Sequence, residues 1–128
     1  MKKTFKILAL LSCLMAMFTI ISCSTSSSPK EELTITVDDL PGTTWKQTFD
    51  TGYTQIAFKA NNKLDYTAYS SGNGGTHSDL SYTKADSKKI SFLMASQTTT
   101  RTVTFELKSN TKASLSIDGS DGGTFNKQ

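Results

Sequence analysis

Alternation of apolar and polar residues with a period of two is the pattern that most restricts what this chain can fold into. It recurs from about residue 43 onward, for example at Ile90, Phe92 and Met94 and again at Leu115 and Ile117. Successive side chains of a β-strand point to opposite faces, so this pattern predicts strands with one buried face. The same region lacks the spacing of three to four residues that marks an amphipathic helix. It therefore predicts an all-β domain.

Turn-forming residues divide this region into short strands. Eight candidate strands lie at about 43–49, 53–60, 63–70, 77–84, 88–96, 100–108, 112–118 and 122–127. Glycine-rich segments at Gly72–Gly75 and Asp118–Gly123 predict two longer, flexible tips. The run Leu33–Val37 either pairs at an edge or belongs to the preceding segment. Short connections favour an antiparallel up-and-down meander that closes into a small barrel over a sandwich, because closure alone removes the exposed edges.

The filling of such a barrel follows from its residue sizes. An eight-stranded barrel has an interior that side chains fill, or that holds one small ligand. The predicted strands carry large apolar residues, including Trp45. The sequence therefore favours a solid core over a roomy cavity.

The first 22 residues have the composition of an export signal. Lys2, Lys3 and Lys6 form a positive start, and the run Ile7–Ile21 then carries no charge. As a helix that run would be about 22 Å long, shorter than the roughly 30 Å hydrocarbon core of a membrane. A charged start followed by a short apolar run predicts a cleaved secretory signal peptide, not a membrane span.

The end of this signal resembles the lipobox of bacterial lipoproteins. Ile20, Ile21 and Ser22 precede Cys23. The resemblance implies that the signal is cut before Cys23 and that Cys23 carries the lipid, with acyl chains such as palmitate. Cys13 follows a similar motif, but cleavage there would leave the apolar stretch up to Ile21 at the new N-terminus. The alternative, an ordinary signal with a buried Cys23, would need apolar neighbours that the following polar segment lacks.

These boundaries divide the chain and change its charge. We expect a cleaved lipoprotein signal peptide at 1–22, the lipidated Cys23 with a polar tether at 23–39, and a barrel domain at 40–128. The whole chain has 14 basic and 11 acidic residues. Removing the signal removes three lysines, 14 − 3 = 11, so the remaining charges balance. The sequence therefore predicts no nucleic-acid partner, and a membrane contact made through the lipid on Cys23.

The predicted domain resembles small bacterial lipocalin-like domains. The match rests on Gly42 and Trp45 in a Gly-x-x-Trp opening, and on a closing hairpin from Leu115 to Lys127 with a glycine-rich turn. The resemblance spans about residues 40–127. It implies a small lipocalin-like β-barrel in which Trp45 packs at one end. It assigns no ligand-binding residue, and the ligand stays unknown.

Motifs for catalysis or metal binding are weak. His77 stands beside Ser78 and Asp79, but neighbours on a strand point to opposite faces and cannot form a catalytic relay. We interpret His77 as a histidine at a loop edge. The segment Asp118–Gly123 lacks the alternating acids and closing glutamate of a calcium loop, so we expect a hairpin turn. The sequence predicts no catalytic residue, no metal site and no cofactor.

Anchor and barrel together predict a function. We expect a non-enzymatic, lipid-anchored binding module of the bacterial cell envelope that takes a small apolar ligand or a protein partner. Ser24 after the lipidated cysteine resembles the outer-membrane sorting signal of many Gram-negative lipoproteins, and this resemblance implies the outer membrane. The alternative is a lipid-anchored inhibitor of an envelope-attacking hydrolase, which would present the glycine-rich loop 71–76 to an active site.

Overall fold

The computed structural model describes residues 32–128, and these form a closed antiparallel β-barrel. Eight strands follow one another around the barrel in chain order, which confirms the predicted all-β meander. The strands are β1 (Thr44–Phe49), β2 (Gly52–Lys59), β3 (Lys63–Ser70), β4 (Asn73–Lys84), β5 (Lys89–Ala95), β6 (Thr100–Leu107), β7 (Lys112–Ile117) and β8 (Ser120–Lys127). Each strand pairs with the next, and β8 returns to β1.

The core fills the half of the barrel that contains the N-terminus of β1. Trp45 is fully buried, and its ring meets the edge of the Phe105 ring with 5.4 Å between centroids. Phe58 and Phe125 pack on Phe105 from other sides, at 5.3 and 6.3 Å. Aromatic rings in these tilted and edge-on arrangements add to the free energy gained from burial. This half of the barrel is therefore filled by side chains, as the sequence predicted.

A short segment before β1 covers this end of the barrel, which we call the closed end. Thr36 caps the 3₁₀-helix Val37–Asp39 in a reciprocal capping box with Asp39. Val37 and Leu40 are buried in the core, and the Val37 N–H donates to the Ser87 carbonyl at 2.9 Å. The cap thus satisfies its own backbone donors while it buries two apolar side chains.

At the closed end, part of the predicted tether packs on the barrel, which differs from the predicted division of the chain. The run Leu33–Val37 forms no strand, although Leu33 and Ile35 pack against the core. The Asn110 side chain holds this run by accepting from the Thr34 and Ile35 N–H groups. The described part of the predicted tether, 32–39, therefore lies on the barrel, because its alternate apolar residues have a core to cover.

Two-residue turns replace both predicted glycine tips. Ser71 and Gly72 have φ of 50° and 83°, and Asp118 and Gly119 have φ of 51° and 81°. Positive φ at both central residues is the geometry of the tight hairpin turn that matches strand twist. β4 therefore begins at Asn73 and β8 at Ser120, earlier than predicted. The prediction of long tips was wrong because glycine also occurs inside strands where another chain segment approaches closely.

The end opposite the cap, which we call the open end, is split along two seams. The ladder between β4 and β5 has three residue pairs and stops at Tyr82↔Phe92. The ladder between β1 and β8 has only two pairs, of which Lys46↔Asn126 lies nearer the open end. The other neighbouring strands pair along most of their length. At the open end the barrel therefore separates into a β1–β4 sheet and a β5–β8 sheet.

Candidate binding site at the open end

At the open end, inward-facing side chains are not covered by the core and stay accessible to solvent. Alternation along uninterrupted strands places Phe49 on the same face as Trp45, and Met94 on the same face as Phe92. Phe49 is 40% exposed although it faces inward. We call this lined opening the mouth, and it comprises Gln47, Phe49, Ala68, His77, Met94 and Arg101. The mouth combines apolar surface with polar and basic groups.

Two basic side chains face each other across the split between β4 and β5. His77 on β4 and Arg101 on β6 line one depression of about 100 Å³ together with Met94. Ser96 and Thr99 complete its rim. Within residues 32–128, neither basic side chain has a carboxylate within 4.0 Å. The depression can therefore offer an arginine fork and an imidazole to an anionic group.

The floor of the mouth is polar. Thr54 is buried and lies in register with Ala68 on the neighbouring strand. Burial raises the pKa of the neighbouring Tyr66 phenol, and the Thr54 hydroxyl beside it lowers that pKa. The hydroxyl pair separates the apolar core below from the exposed mouth above. A ligand in the mouth would contact side chains of both kinds.

A second depression lies on the outer face of the same split. It is an open groove of about 440 Å³ lined by Ser81, Thr83, Ser91, Phe92 and Leu93. Leu93 is 59% exposed, which is the highest value among the large hydrophobic side chains of the described region. An exposed aliphatic side chain beside unpaired strand edges is a feature of surfaces that contact other molecules.

A β-bulge explains why β4 leaves β5 at this point. The register between β3 and β4 shifts between Leu64 and Tyr66, and Asp79 opposite this shift has a φ of 54°. The Asp79 N–H donates to Asp65 Oδ1 at 2.9 Å instead of to a strand partner. Lys59 Nζ lies 2.8 Å from Asp65 and 3.0 Å from Asp79, and the hydrogen bond from Lys59 lowers the pKa of Asp65. A bulge bends its strand, which turns β4 away from β5.

The predicted residues that the structure describes lie in different parts of the barrel. Cys23 lies outside the described residues, so its lipidation stays a prediction. Trp45 packs in the core and donates from Nε1 to Thr43 Oγ1 at 2.9 Å, which confirms its packing role. His77 lies within β4 in register with Tyr66, not at a loop edge. Asp79 bonds to Lys59, and Asp118–Gly119 is the expected hairpin turn.

The glycine-rich segment 71–76 differs most from its predicted form. Asn73–Thr76 pairs with β3 along its whole length, so only Ser71 and Gly72 form the turn. The segment is therefore an ordered strand end, and the prediction of a free loop was wrong. Sequence reasoning also missed Arg101. The alternation that turns Val103 and Phe105 inward places Arg101 inward as well, and a charged residue at an inward position was the available signal.

Comparisons with protein-family models, with curated proteins and with solved structures found no match to this chain. The described residues contain no group of three histidine, cysteine, aspartate or glutamate side chains that could hold a metal ion. Within residues 32–128, no helix has the length and apolar composition needed to cross a membrane.

Proposed function

We propose that this chain is a lipid-anchored, non-enzymatic binding module of the bacterial cell envelope, with its lipid on Cys23 and the outer membrane as its favoured location. It binds a small apolar ligand or a protein partner through the open end of the barrel. The observation that carries this proposal is the mouth, where Phe49, Met94 and other inward-facing residues stay accessible while the rest of the interior is filled. Binding sites are typically concave, with apolar walls and a few polar groups.

The inhibitor alternative required segment 71–76 to protrude as a loop. Because Asn73–Thr76 is paired with β3, the hairpin offers only the turn Ser71–Gly72 at its tip. We therefore retain the binding module.

Lipid labelling tests the anchor. Full-length protein expressed in a Gram-negative host should incorporate labelled palmitate and fractionate with the membrane. Cys23→Ala should lose both the label and the membrane association. The proposed acyl chains are carried by Cys23, and firm attachment needs two or three of them. Cys13→Ala is the matched control and should keep both. Label that persists in Cys23→Ala would contradict the proposed attachment site.

Filling the mouth tests the binding site. Gly75 faces inward opposite Ala68, and a Cβ placed on it would meet no atom within 4 Å. Gly75→Phe should therefore occupy the mouth without disturbing the core. Full-length protein should bind the neutral fluorescent probe N-phenyl-1-naphthylamine, and Gly75→Phe should bind it about tenfold more weakly. Thr76→Phe, on the outer face, should bind like the wild type. Equal binding by all three proteins would place the site elsewhere.

A further inference from the structure

Within residues 32–128, the split between β4 and β5 leaves backbone hydrogen-bonding groups of β4 without a strand partner. In an antiparallel ladder, residues that bond to one neighbour alternate with residues that bond to the other. The tight turn Ser71–Gly72 closes on the pair Ser70↔Asn73, so Asn73, Gly75 and His77 bond toward β3. Gly74, Thr76 and Ser78 consequently direct their N–H and C=O groups toward the split.

The β5 side of the split has the same property. The Ser96 N–H donates to the Thr99 carbonyl at 2.8 Å, and the Leu107 N–H donates to the Lys88 carbonyl at 2.8 Å. These two bonds fix the alternation, so Met94 bonds toward β6 while Leu93 and Ala95 point toward β4. The last β4–β5 pair, Tyr82↔Phe92, uses the Leu93 N–H, so the Leu93 carbonyl and both backbone groups of Ala95 lie beyond the ladder. Two edges with free donors and acceptors therefore face each other at the open end.

Edges of this kind pair readily with an added strand. The longer edge is that of β4, which runs from Gly74 to Ser78. Along an added strand, alternate side chains would point into the mouth and outward over the groove that Leu93 lines. A side chain pointing into the mouth would reach His77 and Arg101, which have no acidic partner within residues 32–128.

We infer that the open part of the β4–β5 split binds an extended, acidic peptide segment of a partner protein. The segment adds as a strand to the free edge of β4 at Gly74–Ser78 and places a carboxylate between His77 and Arg101. This inference rests on the proposed binding function and names the class of partner for it. Backbone pairing supplies sequence-independent affinity, and the basic pair selects segments with an acidic residue at the inward position.

The probe for this site is a synthetic eight-residue peptide of alternating valine and threonine with one central glutamate at an inward-facing position. Two control peptides replace glutamate by lysine, or methylate the backbone nitrogens that would face β4. Full-length protein should bind the glutamate peptide. The lysine peptide should bind at least about fivefold more weakly, because it loses the ion pair and adds repulsion. The methylated peptide should bind about tenfold more weakly, because it lacks the strand donors.

Matched protein variants locate the contact. Thr76→Pro removes a backbone N–H that faces the split and that β3 does not use. Thr76→Val keeps this N–H and removes only the hydroxyl, which lies 2.9 Å from Thr67 Oγ1. Thr76→Pro should lower peptide affinity about tenfold, and Thr76→Val should leave it unchanged. Arg101→Gln should abolish the preference for glutamate over lysine, whereas Lys127→Gln at the closed end should retain it.

The outcomes separate this inference from the proposed function. Equal binding of the plain and methylated peptides would exclude strand addition, even if Thr76→Pro failed to fold. A preference for glutamate that survives Arg101→Gln would exclude the charge contact. If no peptide binds while N-phenyl-1-naphthylamine still does, the inference fails and the binding module stands. A dimer of the wild type that Thr76→Pro disrupts, with no peptide binding, would make a second copy of this chain the occupant instead.

Discussion

One polar atom in the core stands out at the scale of single residues. The Tyr82 hydroxyl is buried and has no hydrogen-bond partner within the described residues, although its ring packs edge-on against Phe58 at 5.6 Å. Burial raises the pKa of this phenol, because the charged form would lose its hydration. A buried hydroxyl without a partner costs free energy that the ring's packing has to offset.

Tyr82→Phe should therefore stabilise the protein. Removing the unpaired hydroxyl while keeping the ring should raise the free energy of unfolding by up to about 1 kcal/mol. Tyr66→Phe is the matched control, because the Thr54 hydroxyl interacts with the Tyr66 phenol and loss of that interaction should destabilise by about 1 kcal/mol. Urea unfolding of the two variants measures both changes. A destabilised Tyr82→Phe would show that the hydroxyl has a partner in solution.

Two neighbouring glycines should respond differently to the same substitution. A Cβ on Gly74 would lie 2.6 Å from the Ala68 carbonyl oxygen and 2.7 Å from Tyr69 Cδ2, whereas a Cβ on Gly75 would meet nothing within 4 Å. Gly74→Ala should destabilise by about 1–3 kcal/mol through overpacking. Gly75→Ala should be neutral or stabilise by up to about 1 kcal/mol, because it restricts the unfolded chain. Thermal unfolding of both variants gives the comparison, and equal effects would contradict the close approach at Gly74.

At the scale of elements, the bulge in β4 depends on an exposed charge cluster. Asp65 accepts from the Asp79 backbone and from Lys59, so one carboxylate holds both the bulge and its neighbouring strand. Asp79 adopts a positive φ that aspartate tolerates better than most residues. The split of the barrel thus follows from a local arrangement of three polar side chains.

The stability that this cluster contributes should depend on pH. Lys59 lowers the pKa of Asp65 from 3.8, so this contribution is present above pH 3.8 and is lost as the pH falls through the lower, folded value. Asp65→Asn keeps an acceptor for the Asp79 N–H and removes the charge. The wild type should be more stable than Asp65→Asn at neutral pH, and the difference should shrink near pH 2, at about the lower end of folded carboxyl pKa values.

Urea midpoints of both proteins at the two pH values measure this difference. Asp50→Asn is the control for the loss of a carboxylate, since within residues 32–128 Asp50 forms no ion pair. A difference for Asp65→Asn that is the same at both pH values would show that the charge of Asp65 contributes nothing to the bulge.

At the scale of the whole molecule, one end of the barrel is sealed and the other is split. The cap Val37–Asp39 and the aromatic core stabilise the closed end, whereas two short ladders join the sheets toward the open end. Backbone groups that lack a strand partner exchange their hydrogens with solvent more readily than paired groups. The two ends should therefore differ in local stability.

Amide hydrogen exchange on adjacent residues tests the split directly. The Ala95 N–H faces the split and should exchange at least about tenfold faster than the Met94 N–H, which bonds to β6. Thr76 and His77 form the same kind of pair on β4, with Thr76 exchanging faster. NMR detection of exchange in the full-length protein resolves each amide. Equal protection of Ala95 and Met94 would mean that β4 and β5 remain paired beyond Tyr82↔Phe92.

The number, order and buried faces of the strands could be predicted from sequence because they follow from local rules. Period-two alternation sets which side chains turn inward, and residues such as Asn61 and Asn62 mark turns with positive φ. The same alternation placed Trp45, Phe92 and Phe105 in a filled core. Alternation is a property of neighbouring residues, so a single sequence contains it.

The split at the open end and the packing of Leu33–Leu40 on the closed end were decided only by tertiary structure. Both depend on contacts between residues distant in the chain: Asp65 with Asp79, Thr34 with Asn110, Val37 with Ser87. Glycine at positions 74 and 75 looks like a loop in isolation, yet it forms a strand because Tyr69 and Ala68 lie opposite. The sequence by itself determined which faces are buried, and the tertiary structure decided where the barrel opens, because opening depends on how far neighbouring strands stay paired.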